Sequence, residues 1–195
     1  MDKTDSINIM IVGVGGQGTL LASRIMGALA LSEGLDIKVS EVHGMAQRGG
    51  SVETHVRMGQ RVYSPLVQIG TADVVLAFEP LEGARWSHYL KPGGVLLTNS
   101  ARVLPMPVIS GAAEYPEDLD ERLAKKNIKV TAFNATVLAE EAGDMRSVNL
   151  VLLGALSKYF RFTKSAWLAA IADCVPEKTL KVNTAAFESG RAAAQ

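Results

Sequence analysis

Apolar residues along this chain fall into short unbroken runs, and between them lie segments whose apolar positions recur at helical spacing. "INIMIVGV", Ile7 to Val14, is apolar at almost every position and stops on glycine, the pattern of a strand covered on both faces. A helix is expected next, from about Gly18 to Glu33, with Leu20, Leu21, Ile25, Leu29 and Ala30 along one face and Gly34 as its stop. "IKVSEV" (Ile37 to Val42) reads as a second buried strand, so the chain opens with a strand–helix–strand unit of parallel, right-handed crossover. In "SVETHVRMG", Val52, Thr54, Val56 and Met58 alternate with polar residues, as in an antiparallel strand with one wetter face at a sheet edge.

The alternation continues. "ADVVLAFE" (Ala72 to Glu79) is a further buried strand, Leu81 to Leu90 a helix, "KPGG" a turn and Gly94 to Asn99 the next strand. The proline-rich stretch from Val103 reads as irregular, with room for one short edge strand. A charged helix follows at about Glu117 to Lys126, then a strand from Ile128 to Asn134. From about residue 135 the pattern is helical to the end. Residues 1–195 therefore read as one three-layer α/β/α Rossmann-like domain, with a mostly parallel mixed sheet and a helical C-terminal part.

Charge and cysteine content narrow the chemistry. Lys+Arg and Asp+Glu balance at 20 each, so no global field draws in nucleic acid or an anionic membrane. The single cysteine, Cys174, reads as a buried helix residue; alone it can hold neither a disulfide nor an iron–sulfur cluster, and three histidines show no zinc spacing. The N-terminus has no signal-peptide pattern and no run is long enough for a membrane span, which points to the cytoplasm.

"GVGGQG", Gly13 to Gly18, is the glycine pattern of a tight strand-to-helix turn. Gly13 would permit the turn, Gly15 and Gly16 would let a ligand approach the backbone, and Gly18 would allow close packing. The first amides of the helix then form a place for a phosphate or carboxylate. Two readings stand beside each other, anion or nucleotide binding and plain turn chemistry. Glu41 lies near the distance at which a dinucleotide site places its ribose acid, but a polar glycine loop follows it, and no lysine completes a P-loop.

That loop, "EVHGMAQRGGSV", holds Glu41, His43, Gly44, Gln47, Arg48, Gly49, Gly50 and Ser51. If it leaves the sheet beside the glycine turn, Gln17, His43, Gln47, Arg48 and Ser51 converge on the amides of Gly15 and Gly16. A guanidinium flanked by glycines suits a phosphate or a partner's carboxylate. The bland alternative is a solvated turn, and His43 has no identifiable partner for work as a base. Trp86 and Trp167 read as core or interface anchors, Asp118–Arg122 and Glu121–Lys125 as surface ion pairs, and Asn134 as a helix cap.

The pairing of "IVGVGGQG" with "EVHGMAQRGGSVETHVR" resembles the gamma-type subunit of the 2-oxoacid:ferredoxin oxidoreductases, in particular their indolepyruvate branch. The likeness extends through "ADVVLAFEPLEGAR" and "LKPGGVLLTNS" to "VPEKTLKVNTAAFESG". It implies a part in converting an arylpyruvate, CoA and oxidised ferredoxin to an arylacyl-CoA, carbon dioxide and reduced ferredoxin. Thiamine diphosphate, Mg and iron–sulfur clusters would belong to a larger alpha subunit, and this chain would hold no cofactor alone. Both motifs would then shape the pocket where the acyl group meets CoA. No catalytic residue is assigned to this chain.

Overall fold

The computed structural model describes residues 6–44 and 50–194. Its order is β1 (Ile7–Val14), α1 (Thr19–Ser32), β2 (Asp36–His43), β3 (Ser51–Gly59), β4 (Ala72–Ala77), α2 (Pro80–Trp86), β5 (Leu90–Asn99), α3 (Met106–Ile109), α4 (Leu119–Lys125), β6 (Lys129–Phe133), α5 (Ala135–Glu141), α6 (Val148–Leu156), α7 (Lys164–Cys174) and α8 (Glu177–Ala193). The strands form one sheet in the order β2-β3-β1-β4-β5-β6. β1, β4, β5 and β6 pair in parallel, whereas β3 runs antiparallel to both β1 and β2.

Alternation along β1 divides the core. Ile9 and Ile11 face one side, where they meet Ile25, Met26 and Leu29 of α1 together with Leu150, Trp167 and Phe187 from the C-terminal helices. Met10 and Val12 face the other, with Val75, Leu96 and Leu123. Helices therefore cover both faces of a mixed, mostly parallel sheet. α6 is the innermost helix, buried from Asn149 to Leu156, and its contact with α8 brings two backbones together. A Cβ on Gly154 would lie 2.0 Å from the Phe187 carbonyl oxygen, and one on Gly190 would lie 1.8 Å from that of Val151. Only glycine fits at either position.

Several expectations change at the level of placement. β1 and β2 run the same way, but β3 lies between them, so they are not neighbours. β2 is an edge strand, with Val39 and Val42 exposed, and β3 is interior. The polar side of β3 is covered by the connection from residue 60 to 71: Arg57 donates to the Ser64 and Leu66 carbonyls, and Val67 N–H donates to His55. Leu20 is exposed, and α1 instead buries Ala22, Ser23, Ile25, Met26, Leu29 and Ala30.

α1 does stop at Gly34, at φ +70, with Gly34 N–H donating to Leu31 and Leu35 N–H to Ala30 in a Schellman closure. β5 begins at Leu90 and takes in the expected turn, and the proline-rich stretch forms the single turn α3 rather than a strand. Asn134 caps α5 by accepting Val137 N–H, and both expected surface ion pairs form. Trp167 is fully buried, Trp86 partly so, and Cys174 is half-buried at the end of α7. No helix among the described residues is long and apolar enough to cross a membrane.

Candidate functional site

The carboxyl ends of β1, β4, β5 and β6 lie on one edge of the sheet, and the chain leaves β1 toward one side and β4 toward the other. Open α/β sheets bind ligands at such a switch point. A cleft of about 350 Å³ lies there, lined by Gly16, Gln17 and Gly18 after β1, Asn99, Ala101 and Val103 after β5, Thr136 on α5, and Met145, Arg146 and Val148 at the entry to α6.

The glycine turn is built differently from its pattern. The conformational demand falls on Gly16 and Gly18, at φ +99 and +86, where a side chain is strained. Space at Gly16 is open, so a Cβ there would project freely, whereas one on Gly18 would meet Asn149 Nδ2 at 2.7 Å. Gly13 belongs to the strand itself, and a Cβ there would collide with Gln17 Oε1 and Phe78 Cβ. Gln17 fills the turn from within: its Oε1 accepts Val14 N–H at 2.7 Å and its Nε2 donates to the Phe78 carbonyl at 3.3 Å. α1 then begins with no side-chain cap and no acidic residue in its first turn. Its leading amides and the positive end of its dipole are therefore met by no acidic group or side-chain cap of the helix itself.

Polar groups missed in the sequence complete the cleft. Asn99 Oδ1 accepts the N–H groups of Ala101 and Ala135, and its Nδ2 donates to Thr136 Oγ1, so one buried side chain joins the ends of β5 and α5. Asn99 and Asn134 each close an apolar strand run with a polar residue, a signal that strand-end chemistry made readable. Arg146 had no signal. Asp144 holds it in a fork of 2.8 to 3.1 Å, which raises its already high pKa while lowering that of Asp144. The guanidinium remains largely solvent-exposed at the cleft rim.

The second motif pairs with the first along the β1–β3 ladder, Val52 opposite Gly13 and Ser51 opposite Val14, and beyond it Gly15 N–H donates to the Gly50 carbonyl at 2.9 Å. Gly44 N–H donates to Ser51 O at 3.0 Å and closes the base of the hairpin. Ser51 turns to the other face, donating to the buried Glu82 carboxylate at 2.5 Å, and Arg85 holds the second oxygen at 2.7 Å. Glu41 accepts from Thr54 at 3.1 Å, two strands away from the β1 turn where a ribose acid would stand one strand away. Gln47, Arg48, Gly49 and the His43 side chain lie outside the described residues. Among the described residues, no group of three or more His, Cys, Asp or Glu is placed to hold a metal ion.

Comparison with known proteins bears on this arrangement. The family described as pyruvate ferredoxin/flavodoxin oxidoreductase matches residues 8–193. The chain is 45% identical over 194 residues to indolepyruvate oxidoreductase subunit IorB of Thermococcus kodakarensis, covering 96% of each. It is 40% identical over 189 residues to the subunit of the same name from Archaeoglobus fulgidus, covering 94% of this chain and 93% of the other. Among solved structures it is similar to a keto/oxoacid ferredoxin oxidoreductase gamma subunit from Geobacter sulfurreducens, with TM-score 0.70, 28% identity and coverage of 96% and 98%. The fold also matches 31% of a longer chain, a Magnetococcus marinus 2-oxoglutarate:ferredoxin oxidoreductase with 2-oxoglutarate, coenzyme A and succinyl-CoA bound, at TM-score 0.73 and 24% identity over 98% of this chain.

Proposed function

The chain belongs to the pyruvate ferredoxin/flavodoxin oxidoreductase family, and from that premise we propose that it completes the active site and the CoA pocket of an arylpyruvate-specific enzyme in the cytoplasm. The observation that carries the reading is the uncapped start of α1 opening, through Gly16 to Gly18, onto a cleft whose rim carries Arg146. Helix amides and a guanidinium are complementary to a phosphate, and Ala101, Val103, Met145 and Val148 offer the apolar wall that a long, uncharged acyl-carrier arm needs.

In the reaction proposed, the bond between the two carbonyl carbons of the 2-oxoacid breaks and carbon dioxide leaves. The CoA sulfur forms the new bond to the acyl carbon as its thiol proton is lost. The electron pair released passes to ferredoxin. Thiamine diphosphate with Mg and the iron–sulfur clusters supply the decarboxylation and the electron path from the larger alpha subunit. The residues here do not fit those groups, since one cysteine, Cys174, half-buried on α7, offers no thiolate set. This chain's part is binding and orientation. Gly16 leaves the backbone open to the ligand, Gly18 lets α6 support the turn from behind, and Arg146 pairs with the ligand's phosphate. The second motif, with Glu41, His43, Gly44, Gln47, Arg48, Gly49, Gly50 and Ser51, is the part of this chain that we assign to contact with the alpha subunit.

The test is reconstitution. The isolated chain should reduce no viologen dye with an arylpyruvate and CoA and should carry no iron, whereas adding it to the larger subunit should establish CoA-dependent turnover. Arg146→Ala in the complex should raise the KM for CoA about tenfold, the scale of one charge-assisted hydrogen bond. A larger subunit that turns over with the same CoA dependence whether or not this chain is present would overturn the reading.

A further inference from the structure

The segment from Ser100 to Asp118 joins β5 to α4 and provides one wall of the cleft through Ala101 and Val103. Arg102, between them, serves a different purpose. Its guanidinium forks onto Glu117 with both N–O distances at 2.8 Å, and it lies 4.7 Å from the centre of the Tyr115 ring. The Tyr115 hydroxyl donates to Glu79 Oε1 at 2.6 Å. Glu79, buried just beyond β4, uses its other oxygen to accept Glu82 N–H at 3.0 Å and so caps α2. Burial, and then the Glu79 carboxylate, hold the Tyr115 phenol well above its ordinary pKa, so it remains a donor.

The two ends of the segment are thus closed on each other and tied to the sheet. Magnitudes indicate what the closure serves. Arg102 and Glu117 are 46% and 74% exposed, and an ion pair that open contributes little to global stability. Between the closed ends, Leu104, Met106 and Ile109 are exposed and add nothing to the core. What the closure does fix is the path of Ala101 and Val103 beside the cleft.

We propose that Arg102 and Tyr115 are positioning residues, a clasp that holds Ala101 and Val103 in place as a preformed wall so that the ligand binds without first ordering the segment. The proposal rests on the CoA reading above. A binding site ordered in advance spares the ligand the entropic cost of ordering it.

The experiment uses the assembled complex, with CoA as the probe, and compares Arg102→Ala, Tyr115→Phe, the exchange Arg102→Glu with Glu117→Arg, and Gly16→Val, whose side chain enters the cleft directly. KM for CoA, kcat and the melting temperature of the isolated chain are measured for each. Arg102→Ala and Tyr115→Phe should each raise KM about fivefold, the scale of one newly mobile wall, while kcat stays within about twofold. The exchange should return KM most of the way, because a reversed fork still closes the segment. An exchange that leaves KM as high as in Arg102→Ala means that the guanidinium itself meets the ligand, and overturns the positioning role. An unchanged KM in Arg102→Ala and Tyr115→Phe beside a raised one in Gly16→Val removes the clasp and keeps the CoA reading. An unchanged KM in all of them, Gly16→Val included, removes both.

Discussion

Asn149 and Gly18 meet across 131 positions of chain: Asn149 Nδ2 lies 3.4 Å from the Gly18 carbonyl oxygen, and a Cβ on Gly18 would fall 2.7 Å from that same nitrogen. The innermost C-terminal helix thereby rests directly on the N-cap of α1. The glycine turn is shaped from behind by α6 while its open side faces the cleft.

Gly18→Ala should therefore cost more than a turn glycine usually does. The positive φ alone is worth about 1 to 3 kcal/mol, and Asn149 must also move. Asn149→Ala removes the obstruction, so in urea unfolding the double variant should lose clearly less than the two single losses added together. Strict additivity would mean that the contact does not constrain the turn.

Two other glycines should respond with opposite signs. A Cβ at Gly190 meets the backbone of α6, which no rotamer change can relieve, and Gly190→Ala should lose about 3 kcal/mol or more by forcing α6 and α8 apart. Gly27 lies inside α1 with open space around its Cβ position, and Gly27→Ala should gain about 0.5 to 1 kcal/mol from helix propensity. Chemical denaturation of both checks the assignment, and equal effects would contradict the packing described.

Ser51→Ala should strip the buried Glu82 carboxylate of one of its two side-chain donors. The side chain of Glu82 is only 7% exposed, and losing a hydrogen bond to a charged group costs about 1.5 to 3 kcal/mol. Ser51→Thr keeps a hydroxyl and should retain most of the stability. If both variants melt alike, the hydroxyl is not the anchor of the hairpin base.

His55 gives the fold a pH dependence of definite sign. It is buried on β3, its Nδ1 accepts Val67 N–H at 3.1 Å, and burial lowers its pKa from the ordinary 6.5. The folded state holds it neutral while the unfolded chain takes up a proton below 6.5. Its contribution is thus complete above that value and is lost as pH falls through the folded pKa. Glu53, raised by burial, pulls the other way on the same strand at lower pH. The measurement is a comparison of melting temperature from pH 7.5 to 5.5 in the parent and in His55→Asn, whose amide oxygen can replace Nδ1. The parent should fall more steeply than the variant, and parallel curves would remove His55 as the cause.

What the amino-acid sequence determined alone were the features set within a few residues of themselves. The apolar runs located the parallel strands, the period of the later segments located the C-terminal helices, and Gly34 and Asn134 marked helix ends as they do in the structure. The glycine turn was legible for the same reason, since the positive φ of Gly16 and Gly18 is a local demand that other residues meet poorly. The family likeness was legible because both motifs are contiguous.

Tertiary structure alone decided which strand lay beside which and what faced the cleft. β2 read as buried because an edge strand with Val39 and Val42 exposed has the same composition as a covered one. β3 read as an edge because its polar positions gave no sign that residues 60–71 would fold back and bond to Arg57 and His55. Gln17 lines the cleft, but nothing local showed that its amide would bridge Val14 and Phe78. Arg146 and the clasp from Arg102 to Glu79 depend on elements that meet only after the sheet has closed, and no local pattern encodes a contact whose two halves lie far apart in the chain.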